Sequence, residues 1–406
     1  MLDVYFAIPV LDENKYLFKT LDCIAEQKCD RNIYVYICIN QPDSWWYNEN
    51  SDICRRNQEL LLTLQKGYRD LDIHIIDKTS KGKGWEEKKG GVGVARKAVI
   101  DSILERAEDT DVLISMDADT SFDSNFVATI VNTFQTYTKI EALNIPYYHN
   151  LTGIEEQDRA MLRYELYLRN YMYNMLRINS PYAFTAFGSA IACFIKSYKA
   201  VGGFDSQTAG EDFYFLQKIV KYGKLKLYTS TTVYPSARYS DRVTFGTGTA
   251  IADFQTSNFS RYPIFHYKLF DSIANTYQLI DTIFEKDVDS ILISFLQKHY
   301  KEEDLWTKLR NNYKTPASFR KAFHHKIDGL RLFQFLRYMQ AELNESDDVC
   351  IRELVNVFHP NMSIVDEDFS LATSPIAMIN ELRDSFVLVE NSMRIEQDIQ
   401  NLTEKK

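Results

Sequence analysis

The stretch VLISMDADTSF, residues 112–122, joins a short apolar run to two acidic residues that follow it directly. The run 112–116 has the pattern of a fully buried strand. Asp117 and Asp119 stand one residue apart, so in an extended chain both side chains point to the same face. Two carboxylates placed in this way repel each other unless a cation lies between them. The stretch therefore predicts a strand that ends at a cation-binding site.

The D-x-D pattern alone is a weak signal, because it occurs at 70/72, 109/111, 117/119, 287/289 and 366/368. Only the pair at 117/119 follows a run typical of a buried strand. Thr120, Ser121 and Asp123 then offer turn and helix N-cap chemistry. This context places the two carboxylates at the carboxyl end of a strand, which is where open α/β sheets bind ligands.

Strand and helix patterns alternate on the N-terminal side of this stretch. Strand patterns cover 3–9, 32–39, 72–76 and 111–116, and helix patterns cover 14–27, 57–67 and 91–107. Such alternation indicates right-handed βαβ crossovers and a mostly parallel sheet with helices on both faces. The expected fold class is therefore α/β.

The pattern is looser beyond Asp119. We predict a helix from about 124, a strand near 141–145, a long aromatic-rich helix at 158–178, a strand at 187–195 and a helix at 211–222. Helical patterns dominate from about 265, and the last helix begins at Ser374-Pro375 with an apolar stripe. That helix either packs on its own domain, which is the commoner case, or forms a dimer contact.

The composition restricts the class of protein. The chain has 406 residues, of which 45% are hydrophobic and 25% charged, as in ordinary globular proteins. A net charge of −9 and a pI near 5.4 argue against nucleic acid as the main partner.

The N-terminus lacks signal-peptide features, and no apolar run is long enough for a membrane span. We therefore expect a cytoplasmic protein. Contact with the inner face of the membrane is left open. Six cysteines without a C-x-x-C pair predict reduced, buried thiols.

Glycines cluster in KGKGWEEKKGGVGVARKA, residues 81–98. Two familiar phosphate-binding motifs do not match this segment. The pattern G-x-x-x-x-G-K-[ST] is missing, and Arg96 stands where G-x-G-x-x-G needs a third small residue. A basic loop that leads into a helix remains, and a helix N-terminus near cations attracts an anion. The alternative is an ordinary solvated loop.

A second acidic pair, Glu211-Asp212, follows Gly210 at the start of a predicted helix. Carboxylates are common in a first helical turn because they complement the helix dipole. A carboxylate near an electrophilic substrate can also serve as a general base, which accepts a proton from an attacking hydroxyl.

Four segments, in matching order over residues 3–250, resemble the family 2 glycosyltransferases of the GT-A fold. They are AIPVLDENKYLFKTLDCIAEQ (7–27), GVGVARKA (91–98), ISMDADTSF (114–122) and VGGFDSQTAGEDFYFLQKIVKYG (201–223). The resemblance implies a mixed, mostly parallel sheet flanked by helices. It also implies a catalytic domain at 1–262 and a helical region at 263–406 for acceptor binding, dimerisation or both.

The resemblance implies a role for each matching residue. Asp119 would bind Mn²⁺ or Mg²⁺ that bridges the diphosphate of a nucleotide-sugar donor, with Asp117 near the ribose or the metal's waters. Asp212 would be the catalytic base, and Glu211 would position the acceptor. The nucleotide side would further include Pro9, Val10, Glu13, Gly93 and Arg96.

The sequence also departs from the family. Asn40 stands where the family has an aspartate that addresses the base, and its amide offers both a donor and an acceptor. Lys97 replaces the usual asparagine. The segment SARYSDRVTFGTGTA (236–250), with Arg238 and Arg242, is expected to be a lid over the diphosphate, an anionic-acceptor pocket or an ordinary loop.

The expected activity is metal-dependent, inverting transfer of a sugar from a UDP- or GDP-sugar to a hydroxyl acceptor, which could be a glycan, a lipid-linked acceptor or a small molecule. One alternative is a retaining enzyme with a small anionic acceptor, and another is a non-catalytic nucleotide-sugar-binding scaffold.

A third metal ligand is unassigned. His149 and His266 are candidates, but histidines in such contexts are more often structural or surface residues. Tyrosines of the helix at 158–178 could stack on a sugar, although such a stripe is more often core.

Overall fold

A computed structural model describes residues 2–87, 89–205, 210–238, 262–362 and 364–403. Arg242, which belongs to the segment expected to cover the diphosphate, lies outside the described residues. The chain divides into two compact units. Unit 1 comprises the described residues of Met1–Gln157, Thr185–Ala252 and Arg394–Lys406, and unit 2 those of Asp158–Phe184 and Asp253–Met393. The functional division at residue 262 stays a prediction.

Unit 1 is built on a mixed sheet. Its strands are β1 Val4–Val10, β2 Ile33–Asn40, β3 Asp72–Lys78, β4 Val112–Ser115, β5 Ser121–Phe122, β6 Ile140–Asn144, β7 Ile191–Phe194, β8 Lys224–Lys226 and β9 Val233–Tyr234. Among the described residues, seven of them form one sheet in the order β3-β2-β1-β4-β7-β6-β8. Only β7 runs antiparallel to its neighbours in this sheet. The expectation of a mixed, mostly parallel sheet is confirmed.

Helices flank this sheet, as expected. They are α1 Leu17–Ala25, α2 Ser51–Leu64, α3 Val92–Leu104, α4 Phe126–Thr136, α5 Glu155–Arg177, which continues into unit 2, α6 Ile195–Ala200 and α7 Glu211–Tyr222. In α1 the buried residues recur every three or four positions and thus form one face. Helix α3 begins after Gly91, whose φ of 139° lies in a region that favours glycine.

The core of unit 1 is centred on β1, which is buried along its whole length. A parallel strand covered on both faces reads as a continuous apolar run, which explains the sequence VYFAIPV. Because β2 and β4 pair with β1 in parallel, the carboxyl ends of all three strands lie along one edge of the sheet. That edge carries Asn40 at the end of β2 and the D-x-D pair after β4.

Unit 2 is helical. Besides α5, it contains α8 Tyr267–Gln278, α9 Ile280–Glu285, α10 Ile291–Tyr300, α11 Thr307–Asn312, α12 Pro316–Lys326, α13 Gly329–Leu343, α14 Asp347–Phe358 and most of α15 Ile376–Thr403. This matches the predicted helical C-terminal region. In the part of the chain that the structure describes, every helix is too short or too polar to cross a membrane.

The aromatic helix α5 supplies much of the core of unit 2. Tyr164 and Tyr167 are buried, and each ring meets Tyr262 edge to face. Tyr173 is also buried and meets Phe386 of α15 edge to face. These contacts favour the packing interpretation of the tyrosine stripe, and they favour docking of α15 on its own unit. A dimer stays a prediction.

Four buried charged residues join α5 to α15 within unit 2. Glu165 accepts hydrogen bonds from Arg169 at 2.6 Å and from Arg383 at 3.1 Å. Arg169 also donates to Glu390 at 2.9 Å. Opposite charges thus lie in direct contact, which offsets part of the cost of removing each charge from water.

Candidate functional site

Two clusters of charged side chains lie at the carboxyl edge of the sheet in unit 1. The inner cluster consists of Arg96, Asp117, Glu211 and Asp212, and the outer cluster consists of Glu13, Asp119 and Arg238. Both clusters combine residues that are far apart in sequence. Each member of the D-x-D pair therefore belongs to a different cluster.

The inner cluster is centred on Arg96 of α3, which is only 2% exposed. Its Nη2 donates to Asp117 at 2.8 Å, and its Nε donates to Glu211 at 3.1 Å. Its Nη1 donates to the carbonyl of Gly188 at 3.2 Å and to the Ser115 hydroxyl at 2.5 Å. Burial alone lowers the pKa of the guanidinium, but the charges of Asp117 and Glu211 raise that pKa by more, so Arg96 stays protonated.

Gly188 makes room for this guanidinium. A Cβ at this position would lie 2.2 Å from Nη2 of Arg96, and the buried guanidinium has five donors to satisfy in a fixed plane. The predicted strand at 187–195 begins only at Ile191, so the backbone around Gly188 lies outside the sheet and its carbonyl can face Arg96.

Asp212 lies in the first turn of α7. Gly210 precedes this helix with φ of 79°, a left-handed conformation that suits glycine. The Asp212 carboxylate accepts a hydrogen bond from the backbone N–H of Phe213 at 2.8 Å. Burial, followed by the charge of Glu211, raises the pKa of Asp212 above the ordinary value of an aspartate, although Arg96 lowers it. A carboxylate with a raised pKa is a better proton acceptor than an ordinary aspartate.

The outer cluster joins three separate segments. Arg238, which follows β9, donates from Nη2 to Glu13 at 2.6 Å and from Nε to Asp119 at 3.1 Å. The guanidinium also lies over the ring of Tyr16, 4.1 Å from its centroid. All three charged side chains are largely buried, with 12% to 21% of their surface exposed.

Helix α1 fixes the loop that carries the D-x-D pair. The Thr20 hydroxyl is buried on this helix and lies 2.9 Å from the carbonyl oxygens of both Ala118 and Thr120. Gln27 donates to the carbonyl of Asp123 at 2.9 Å and accepts from the N–H of Val127. Our sequence reasoning missed Thr20, although a threonine on the apolar face of an amphipathic helix is a detectable signal.

The Asn40 amide is held in one orientation. Its nitrogen donates to the carbonyl of Val10 at 2.8 Å, and its oxygen accepts from the indole N–H of Trp85 at 3.0 Å. Because a carbonyl only accepts and an indole N–H only donates, the amide cannot be flipped. Trp85 was missed by the sequence reasoning, although a lone tryptophan inside a glycine-rich loop marks a position with a packing or binding role.

Backbone contacts keep Trp85 in place. Its N–H donates to the carbonyl of Gln41, and its carbonyl accepts from the N–H of Asp43, both at 2.9 Å. Gly84 permits this approach, since a Cβ there would lie 2.7 Å from the backbone nitrogen of Asp43. Part of the predicted basic loop is therefore a folded segment beside the end of β2.

The lysines of this loop have local partners. Lys83 pairs with Asp77 at 2.9 Å, and Lys89 pairs with Glu86 at 2.6 Å. Lys81 lies over the ring of Trp46. Lys88 lies outside the described residues. An anion site in this loop stays a prediction.

The other predicted nucleotide-side residues lie where their segments place them. Pro9 and Val10 are buried at the end of β1, and Gly93 is buried in the first turn of α3. Glu13 belongs to the outer cluster, and Arg96 is the centre of the inner one. A nucleotide-binding role for these residues stays a prediction.

The outer cluster has the chemistry for a hard divalent cation. Within the described residues, no group of three or more histidine, cysteine, aspartate or glutamate side chains is arranged to hold a metal ion. Magnesium, however, is often held by one or two carboxylates together with substrate phosphates and water. Glu13 and Asp119 supply two carboxylates that already converge on one positive group, so the residues fit such an ion.

The two histidines have structural surroundings. His149 is fully buried and packs near the rings of Tyr147 and Phe187. His266, in unit 2, precedes α8, accepts from the N–H of Lys268 and lies 3.0 Å from Glu353. These contacts give each histidine a packing or capping role.

Removal of Arg96 should strongly destabilise the protein. Arg96→Met leaves the buried Glu211 and its neighbour Asp117 without their shared cation, so we expect the free energy of unfolding to fall by about 3–5 kcal/mol. Urea denaturation measures this loss. Arg56→Gln is the control, because Arg56 forms an exposed bidentate pair with Asp12 and should contribute about 1 kcal/mol or less. Equal losses in the two variants would contradict a central role for Arg96.

No family model and no curated protein sequence matches the chain. A crystal structure of S. aureus TarS 1-349 in complex with UDP-GlcNAc has 11% identity and a TM-score of 0.42, with 97% of this chain and 91% of that chain covered. The mannosyltransferase PcManGT from Pyrobaculum calidifontis in complex with GDP-Man and Mn²⁺ has 14% identity and a TM-score of 0.35, with 99% and 88% covered.

A crystal structure of S. aureus TarS has 12% identity and a TM-score of 0.40. The match covers 64% of this chain but only 43% of the TarS chain. At TM-scores this low, the likeness carries no inference about activity.

Proposed function

We propose that the protein is a family 2-like glycosyltransferase of the GT-A fold, which moves a sugar from a nucleotide-diphosphate sugar to a hydroxyl acceptor. One observation carries this proposal. The four segments that resemble the family contribute Glu13, Arg96, the D-x-D pair and Glu211-Asp212, and these residues meet in two clusters at one edge of the sheet. Residues that served four unrelated packing roles would have no reason to converge there.

A divalent cation, Mn²⁺ or Mg²⁺, completes the proposed site. Asp119 would hold it, and bound there it would neutralise the negative charge that grows on the leaving diphosphate. Asp117 would serve as a further ligand or as a contact to the ribose. Carboxylate oxygens are the ligands that such hard cations prefer.

Asp212 serves as the general base in this proposal. It removes the proton of the acceptor hydroxyl as that oxygen bonds to the sugar carbon, while the bond from the same carbon to the diphosphate oxygen breaks. Attack from the opposite face inverts the anomeric configuration. Glu211, held by Arg96 at 3.1 Å, positions the acceptor. The raised pKa of Asp212 suits it to this transfer.

Asn40 is assigned to the nucleoside end of the donor, together with Pro9, Val10, Gly93 and, beyond the described residues, Arg242. The donor is a UDP- or GDP-sugar. The acceptor is a glycan, a lipid-linked acceptor or a small molecule, and residues 263–406 contribute to its binding or to a homodimer. We place the protein in the cytoplasm, with contact to the inner face of the membrane as a further option.

Release of nucleoside diphosphate tests this function. The intact protein is incubated with UDP- and GDP-sugars, and we expect slow hydrolysis of one donor that Mn²⁺ stimulates and a chelator removes. If no donor is hydrolysed either with or without metal, the protein is a binding scaffold. Hydrolysis that metal does not stimulate would overturn only the metal dependence. The anomeric configuration of a transfer product then separates an inverting enzyme from a retaining one.

A further inference from the structure

Arg238 is enclosed by groups that hold a cation. Its Nη2 contacts both carboxylate oxygens of Glu13, its Nε contacts Oδ2 of Asp119, and its guanidinium lies over the ring of Tyr16. Its Nη1 makes no hydrogen bond to any described residue, and 18% of the side chain is exposed. Within the described residues, this one guanidinium thus contacts two carboxylates.

This arrangement has a consequence for a metal ion at Asp119. Glu13 and Asp119 repel each other unless a cation lies between them, because both carboxylates approach the same point. A divalent ion would satisfy them better than one guanidinium, since it carries twice the charge. An ion bound between these two carboxylates would take the position of the guanidinium, and two cations repel each other at contact distance.

We propose that Arg238 occupies the cation position between Glu13 and Asp119, and that a divalent ion binds there by displacing the guanidinium from Asp119. This inference rests on the proposed function, and it identifies a residue that sets the metal affinity of that site. The displaced guanidinium then becomes available to an anion, and a nucleoside diphosphate is an anion that accepts bidentate hydrogen bonds from arginine. Binding of the metal and binding of the diphosphate thereby favour each other.

A titration with Mn²⁺ alone tests the exchange. Free Mn²⁺ is followed by electron paramagnetic resonance in the intact protein without nucleotide. We expect Arg238→Gln to bind Mn²⁺ roughly tenfold more tightly than the unmodified protein, because the ion no longer has to break an ion pair. Arg238→Lys keeps a positive charge and should stay within about threefold of the unmodified protein. The double variant Arg238→Gln/Asp119→Asn should not show this tighter binding of Mn²⁺.

Two further variants serve as controls. Arg56→Gln removes a comparable arginine from Asp12, which is also in the loop after β1, and should leave Mn²⁺ affinity unchanged. Tyr16→Leu removes only the ring beneath the guanidinium, so it should tighten Mn²⁺ binding by about threefold. Tyr16→Leu keeps the test decisive if Arg238→Gln fails to fold.

The outcomes separate two failures. If Arg238→Gln and Tyr16→Leu bind Mn²⁺ no more tightly than the unmodified protein, while Asp119→Asn weakens binding, the metal site stands and the exchange is overturned. If the unmodified protein and all variants fail to bind Mn²⁺, the exchange is overturned together with the metal assignment. Release of nucleoside diphosphate in the donor assay without metal would still support transferase activity in that case.

Discussion

Asp119→Ala should abolish the metal-dependent part of donor binding. Asp119 is the residue of the D-x-D pair whose carboxylate joins the outer cluster, and a hard cation needs a carboxylate oxygen to hold it there. Calorimetric titration with the nucleotide that is released in the donor assay, with and without Mn²⁺, measures the effect. We expect the ratio of the two affinities to fall to about one in the variant, because the proposed ion would lose its main protein ligand.

Asp109→Ala is a matched control for this variant. Asp109 belongs to another D-x-D pair, and its exposed carboxylate pairs with Lys199 at 2.8 Å. Its replacement should leave the effect of Mn²⁺ on nucleotide affinity intact. An Asp119→Ala protein that binds nucleotide with unchanged affinity in Mn²⁺ would remove Asp119 from the metal site.

Asp212→Asn should slow transfer by roughly 10²-fold or more while donor affinity stays near normal, the range expected when a general base is lost. Single-turnover rates at saturating donor measure this loss. Asp101→Asn is the control, because Asp101 forms an exposed pair with Lys97. An Asp212→Asn protein with full turnover would exclude Asp212 as the base.

The pH dependence of the transfer rate is a second test of Asp212 as the base. Because the pKa of Asp212 is raised, its charged form, which is the proposed base, is lost as pH falls through a range higher than that of an ordinary aspartate. The transfer rate should fall with it, and the residual rate of Asp212→Asn should lack this acidic limb. Burial also disfavours the charged form, so the neutral asparagine should keep or raise the melting temperature.

The sequence was sufficient to predict most of the sheet in unit 1. In β1 and β2 the apolar runs are long and the helices between them have a clear periodicity, and the predicted strands agree with the observed ones to within a residue. Helix α2 was predicted to start at 57 but starts at Ser51, because four of the six residues 51–56 are polar and only Cys54 among them is buried.

Pairing between distant charged residues could not be predicted in this way. The i, i+2 spacing correctly suggested that Asp117 and Asp119 need positive partners, but it suggested one shared cation. In the structure, Asp117 contacts Arg96 and Asp119 contacts Arg238. Periodicity gives the direction of a side chain relative to its own strand or helix, whereas these partners come from segments 21 and 119 positions away in sequence.

The burial of Arg96 could not be predicted from the sequence either. A guanidinium in the first turns of a helix after a glycine-rich loop is expected to face solvent or an anion, since arginine is almost never fully buried without a partner. Only the fold brings Ser115, Gly188 and Glu211 around it. A resemblance to a family can assign such a residue to a ligand, but it does not reveal the protein groups that compete for the same hydrogen bonds.

The fixed amide of Asn40 constrains how this protein can change. An aspartate at position 40 has no N–H to donate to the carbonyl of Val10. A carboxylate oxygen would instead face that carbonyl oxygen at short range. Replacement of Asn40 by aspartate would thus require the backbone near Val10 or the loop that carries Trp85 to move at the same time. Positions 40 and 85 are therefore expected to vary together among descendants of this chain, as a pair inherited jointly.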